Sequence, residues 1–251
     1  MMPATGRRRG NAGFVAFTLA MLALFASLGV WQLQRRVEKH ALIAALTERL
    51  AAAPGSLPQP SQCRTLTPAR DEFRRVGLTA IYQPLADAMV YSSGSAVRED
   101  VASPGTWAFL PARLPGGEII VINAGFVPNP MQDRGQEDRA VARLITGEPA
   151  MLTGYIRFPE PAGLLTPTEN TARRLWFTRD HLAMARALGW GEVAPFYVDL
   201  ELPVPAGGIP KPGALEVHLK DDHLQYAITW FGLAGAVAIA LVVWLRGQWR
   251  G

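Results

Sequence analysis

The sequence predicts a membrane protein in which two transmembrane α-helices flank a mainly antiparallel β, α+β-class extracytoplasmic domain. Three observations predict it. Two stretches, Gly10–Gln34 and Leu224–Leu245, contain no charged residue, and each exceeds the ~20 residues a helix needs to cross hydrocarbon. Between them, short runs rich in β-forming residues alternate with Gly and Pro. All 21 acids fall between the two stretches, the first at Glu38 and the last at Asp222. The expected order is a basic tail over 1–11, a transmembrane helix over 12–33, the domain over 34–223, a second transmembrane helix over 224–245 and a basic tail over 246–251.

The first apolar run is longer than a signal-peptide core, and "SLGVWQLQRR" offers no small-x-small cleavage site. It reads as a retained helix. Helical spacing of Leu42, Leu46 and Leu50 continues it as one rod through Leu33–Ala53, until "PGSLPQP" breaks the pattern as a linker. Strands are then expected over Arg74–Tyr82, Ala88–Tyr91, Gly105–Leu114, Glu118–Phe126, Ala150–Phe158, Arg174–Thr178 and Phe196–Leu200. Met131–Arg143 mixes both charge signs and is expected to be a solvated helix or loop. Arg179–Trp190 reads as a short helix closed by Gly189, and Leu202–Gly213 as a proline-rich extended connector.

Charge sets the orientation. Of the 25 Lys and Arg residues, Arg7, Arg8, Arg9, Arg246 and Arg250 lie in the tails, so the net charge of +4 is a property of the tails and not of a nucleic-acid-binding patch. Basic tails favour the cytoplasm. Both termini are therefore expected inside a bacterial inner membrane and the domain in the periplasm. Cys63 is the only cysteine, so the domain must stand on its own core without an internal disulfide.

The sequence carries no Gly-x-Ser-x-Gly elbow, Walker loop, Gly-x-Gly-x-x-Gly or Cys-x-x-Cys. His181, His218 and His223 are not at zinc-site spacing. An enzyme is not expected. What stands out is the mouth of the second helix. His223, Tyr226, Ala227 and Trp230 follow helical spacing on one face, and Trp31 and Arg35 do the same at the end of the first helix. Tyr and Trp at such a level serve as an interfacial anchor. An aromatic belt needs no imidazole, however, and imidazole is a standard axial ligand of haem iron. With Gly232, Gly235 and Ala236 as a small-residue stripe, the set could instead seat a flat macrocycle, while the stripe alone could serve close helix packing. Both readings stay open on the residues themselves.

"LGVWQLQRRVEKHALI" and "HLQYAITWFGLAGA" resemble the surfeit locus protein 1 family, and "IIVINAGFVP" and "VDLELPVPAGGIPKPG" agree with it more weakly. The resemblance spans Gly29 to about Ala236. One departure is Ala124, where the family usually has Arg before Gly125. The resemblance implies an assembly factor for cytochrome c oxidase that helps insert or stabilise haem a in the catalytic subunit. It implies His223 as the iron ligand, with Tyr226, Trp230, Trp31 and Arg35 around the cofactor. Arg36 is a second candidate for the propionates, and His40 and His218 are candidates for a second ligand. Its expected partners are the oxidase catalytic subunit, other assembly factors and the lipid bilayer. A haem-free scaffold and a membrane-anchored small-molecule receptor remain the alternatives; the receptor would need a polar pocket that no motif announces.

Overall fold

The computed structural model describes residues 5–63, 65–95, 97–98, 100–128, 133–216 and 221–250. The chain divides into two compact units, Met1–Ala44 with Leu219–Gly251, and Ala45–His218.

The first unit is a helix pair. Helix α1 runs unbroken over Thr5–Ala51, because nothing between Gly29 and Pro54 interrupts helical geometry. Its partner in this unit is the helix His223–Arg250. Phe14 meets Trp244 with ring centroids 4.9 Å apart, and Phe25 stacks on Trp230 at 5.7 Å, so the two helices run antiparallel. Ala227 and Leu241 are buried in the seam. Both helices are long and apolar enough to cross a membrane, with a mean hydropathy of 2.2 in each. Only 11% and 6% of these apolar windows is buried within the protein. A core helix of a soluble protein would bury such a surface; here it faces outward, as lipid-facing side chains do.

The second unit is built on a mixed eight-stranded sheet. Its elements in chain order are β1 (Gly55–Ser56), α2 (Pro60–Cys63), α3 (Pro68–Asp71), β2 (Arg75–Tyr82), β3 (Ala88–Ser92), β4 (Gly105–Arg113), β5 (Ile119–Pro128), α4 (Arg134–Ala142), β6 (Ala150–Arg157), β7 (Leu175–Trp176), α5 (His181–Leu188) and β8 (Val193–Leu202); the helix His223–Arg250 is α6. All seven expected strands form. The additional two-residue β1 lies in the stretch expected as a linker and pairs with β2 in parallel.

Strands pair in the order β2-β6-β8-β5-β4, and β4 returns to β2 through Ile81↔Arg113 and Tyr82↔Ala112, closing a ring. Alternation explains the interior. Val76, Ala80, Leu110, Ile120, Ile122, Leu152, Ile156, Phe196 and Val198 are even-numbered and share one apolar cluster, as the period of two along a strand requires. The odd-numbered Phe109, Val121 and Tyr197 face the other way and pack with Met184 and Ala185 of α5. The Asp180 side chain caps α5 by accepting from the Ala183 amide at 3.0 Å, and Gly189 ends it in a left-handed conformation.

Two expectations are corrected in detail. β5 and β8 pair in parallel, as do β1–β2 and β3–β7, so a mainly antiparallel sheet includes three parallel joints. The segment expected as a solvated helix or loop is α4, and it is not wholly solvated, although Met131 and Gln132 lie outside the described residues. Ala140 and Val141 are buried, and Glu137 is buried because it accepts from Thr106 Oγ1 at 2.9 Å and pairs with Arg134 at 3.2 Å.

Candidate functional site

Gln32, Arg36 and His40 stand four residues apart on α1 and so share one face. All three turn toward the start of α6. The Gln32 amide oxygen lies 2.8 Å from His223 Nδ1. Asp221, just before α6, receives the rest. Its Oδ1 accepts from the His223 backbone amide at 3.1 Å, capping the helix. Its Oδ2 accepts from His40 Nε2 at 2.7 Å and faces Arg36 Nε at 3.6 Å. Partial loss of water would raise the Asp221 carboxyl, but the bonds from the His223 amide and the His40 ring outweigh it and hold the carboxyl below its ordinary range.

With the Gln32 amide oxygen facing it, Nδ1 is the donor of this pair, which in a neutral imidazole leaves the lone pair on Nε2. No group among the described residues bonds to Nε2. The two ring nitrogens diverge, so Nε2 is aimed away from Gln32.

Of the residues singled out in the sequence, His223 and Trp230 are brought against α1, the first through Gln32 and the second through Phe25. Tyr226 and Trp31 are half-exposed on the flanks of the pair. Arg35 is also exposed and pairs with Glu38 at 2.7 Å, one turn along its own helix. It is Arg36 that faces Asp221. His40 spends its Nε2 on Asp221, and His218 lies outside the described residues. Gln32 was missed as a site residue. Its signal was the four-residue spacing with Arg36 and His40 at the end of an apolar run.

The seam itself is full. A Cβ on Gly29 would sit 2.7 Å from the Phe231 ring, so it is this glycine that lets the helices approach. Gly232 and Gly235 have nothing within 4 Å and take no part in the seam. A flat ligand at His223 would lie against the flank of the pair, where Trp31 and Tyr226 are exposed, and not between the helices. Among the described residues no group of three or more His, Cys, Asp or Glu side chains could hold a metal ion. A haem axial bond needs only one imidazole lone pair, and His223 has one.

The SURF1 family pattern matches residues 19–235, which takes in the whole sheet domain, most of α1 and the first half of α6. The chain belongs to the SURF1 family. It is 29% identical to Surfeit locus protein 1 of Homo sapiens over 99% of this chain and 82% of the human protein. It is 31% identical to the Rattus norvegicus protein over 92% of this chain and 74% of the relative, and 28% identical to a SURF1-like protein of Monosiga brevicollis over 97% and 91%. SURF1 membership implies a role in cytochrome c oxidase assembly, and with the two long apolar helices it fits a membrane protein. Ala124 is buried in the apolar interior of the ring.

Proposed function

We propose that this protein is a non-enzymatic assembly factor that holds haem a through His223 and makes it available to the catalytic subunit of the oxidase. The single observation that carries the reading is the 2.8 Å contact between Gln32 Oε1 and His223 Nδ1. An imidazole whose second nitrogen is held by an oxygen acceptor is oriented and made a better ligand. Haem a, when bound, would supply the redox-active iron that the oxidase requires. Gln32 holds the His223 ring and its tautomer. Asp221 caps α6 and, through His40, ties its first turn to α1. Trp31 and Tyr226 offer apolar rings on the flank beside His223, and Trp230 supports the next turn. Arg36 and Arg35 are the cations within reach of propionate carboxylates. The proposed setting is a bacterial inner membrane, with both termini cytoplasmic and the sheet domain periplasmic; it rests on the basic tails.

The test is the visible spectrum of protein purified in mild detergent from cells that make haem a. Wild type is expected to carry a haem a spectrum, His223→Ala to lose it, and Gln32→Leu to keep haem with a shifted band and faster loss. Haem retained unchanged in His223→Ala would end the axial role. A colourless wild type that still co-purifies with the oxidase catalytic subunit would make the protein a haem-free scaffold.

A further inference from the structure

A cavity of about 310 Å³ opens on the outer face of the sheet domain, lined in part by Trp107, Arg157 and Arg179 with Ser92, Ser95 and Thr178. That volume is at the lower end of small-molecule sites. One buried donor of its wall lacks an acceptor. Trp107 is 4% exposed, and its indole Nε1–H has no partner. Arg179 lies with its guanidinium carbon 4.7 Å from the Trp107 ring centroid. Its guanidinium makes no hydrogen bond among the described residues, and the nearest carboxylate oxygen, Asp199 Oδ2, is 3.6 Å away.

Asp199 is already committed. It accepts from the Asn123 side-chain amide and from Arg157 Nη1 at 3.1 Å. Each nitrogen of Arg157 is engaged as well, Nε donating to Glu72 at 3.0 Å and Nη2 to Glu160 at 3.3 Å. Arg157 therefore holds the wall, while Arg179 has donors to spare. The side chains of Arg157 and Arg179 are only 9% and 14% exposed, and Glu160, which shares the cavity wall, is 44% exposed and bonded to Arg157. A buried donor without an acceptor is costly, and proteins rarely leave one without a purpose.

We propose that this cavity binds a small molecule carrying a carboxylate or phosphate group. Arg179 supplies the charge and a planar pair of N–H donors, the geometry that suits both anions. Trp107 adds one N–H directed by a ring that Arg179 itself covers. The site is independent of haem binding, and either reading can fail without the other.

The experiment is isothermal titration calorimetry of the full-length protein in detergent with succinate and, separately, inorganic phosphate. Saturable binding of at least one is expected. Saturation by succinate alone assigns a carboxylate ligand, and by phosphate alone a phosphate. Arg179→Gln is expected to weaken binding about tenfold or more, and Trp107→Phe, which keeps the ring and removes only the N–H, about threefold to tenfold. Arg186→Gln, on the exposed side of α5, leaves binding unchanged. If Arg179→Gln fails to fold, Trp107→Phe carries the test. Absence of saturable binding to either anion in folded wild type, or equal weakening in Arg186→Gln, would overturn the proposal.

Discussion

In the helix pair, Gly232 and Gly235 have no atom within 4 Å of the place a side chain would begin. In the sheet domain, a side chain on Gly125 would land on the backbone of Lys211 and Pro212. The two regions are stabilised differently. The helices expose their apolar surface and touch each other along a narrow seam of rings and one close glycine. Lipid, not protein, covers the rest. The sheet domain has no disulfide and closes its ring around a fully buried interior, with backbone pressed on backbone. A change of one methyl group should therefore mean little on most of α6 and much in β5. Polar contacts should divide in the same way, since those of the domain are buried and those at the mouth of the helix pair are partly wet.

The largest effect is expected from Arg157→Leu. It leaves Asp199 buried without its main cation, a change that costs about 3–5 kcal/mol when one partner of a buried pair is lost. Thermal unfolding of the detergent-solubilised protein, followed by near-ultraviolet circular dichroism, measures it. The matching change in the helix pair, Gln32→Leu, removes one hydrogen bond to a partly exposed ring and should cost about 1 kcal/mol or less. Equal losses in the two variants would erase the distinction drawn between the regions.

Next comes Gly125→Ala. Gly125 has φ of 125°, which side chains rarely adopt, and its neighbour Phe126 exchanges two backbone hydrogen bonds with Lys211, at 3.0 and 2.7 Å. The connector cannot move away without breaking them. A loss of about 3 kcal/mol or more is expected, read as a fall in the unfolding midpoint. A variant as stable as wild type would show that the connector is not held against β5.

Much of this contrast was legible in the sequence. Two charge-free runs announced the helices, and runs of β-forming residues bounded by Gly and Pro announced every longer strand; in the fold Val76, Ala80 and Tyr82, like Ile120, Ile122 and Ala124, turn to one side. The ring closure was not legible. Which edge Ile81 and Tyr82 meet depends on Ala112 and Arg113, thirty residues on, and no local pattern encodes that. The parallel joint of β5 with β8 was hidden for the same reason. The mixed charges of α4 suggested a solvated segment, and only its partners Thr106 and Asp87 show why Glu137 and Arg134 can turn inward. At the candidate site, His223 was visible because an imidazole is out of place in an aromatic belt. Gln32 was not, because its spacing with Arg36 and His40 marks a polar face without telling what that face meets. Trp107, Arg157 and Arg179 come from three separate stretches and meet only in the folded domain.

A smaller, pH-dependent effect belongs to the sheet domain. His181 is fully buried, and burial pushes its imidazole below its ordinary value of 6.5, opposed by the bond to the Ala194 carbonyl at 2.9 Å. The unfolded chain takes up the proton first. The neutral histidine thus costs nothing above pH 6.5, and stability falls as pH drops from there through the lowered folded value. His181→Gln keeps a donor for Ala194 and cannot titrate, so its stability should vary less over that range. Asp100, held well below the usual carboxylate range chiefly by its bond from Arg98, loses its contribution only at more acidic pH, which separates the two. Parallel pH profiles for wild type and His181→Gln would remove His181 from the account.

The smallest effect should come from Gly235→Ala. With open space around it, the new methyl meets no atom of this chain, and alanine is favoured over glycine within a helix by up to about 1 kcal/mol. The expected outcome is an unchanged or slightly raised unfolding temperature, whereas Gly29→Leu, facing the Phe231 ring, should loosen the pair. The two glycines look alike in the sequence, each in the middle of an apolar run. They differ only in what stands opposite, so the pair of variants isolates packing from propensity. A clear loss of stability in Gly235→Ala would mean that something presses on that side of α6 in the membrane. The two helices would then form part of a larger bundle, and the contrast with the self-sufficient sheet domain would become sharper still.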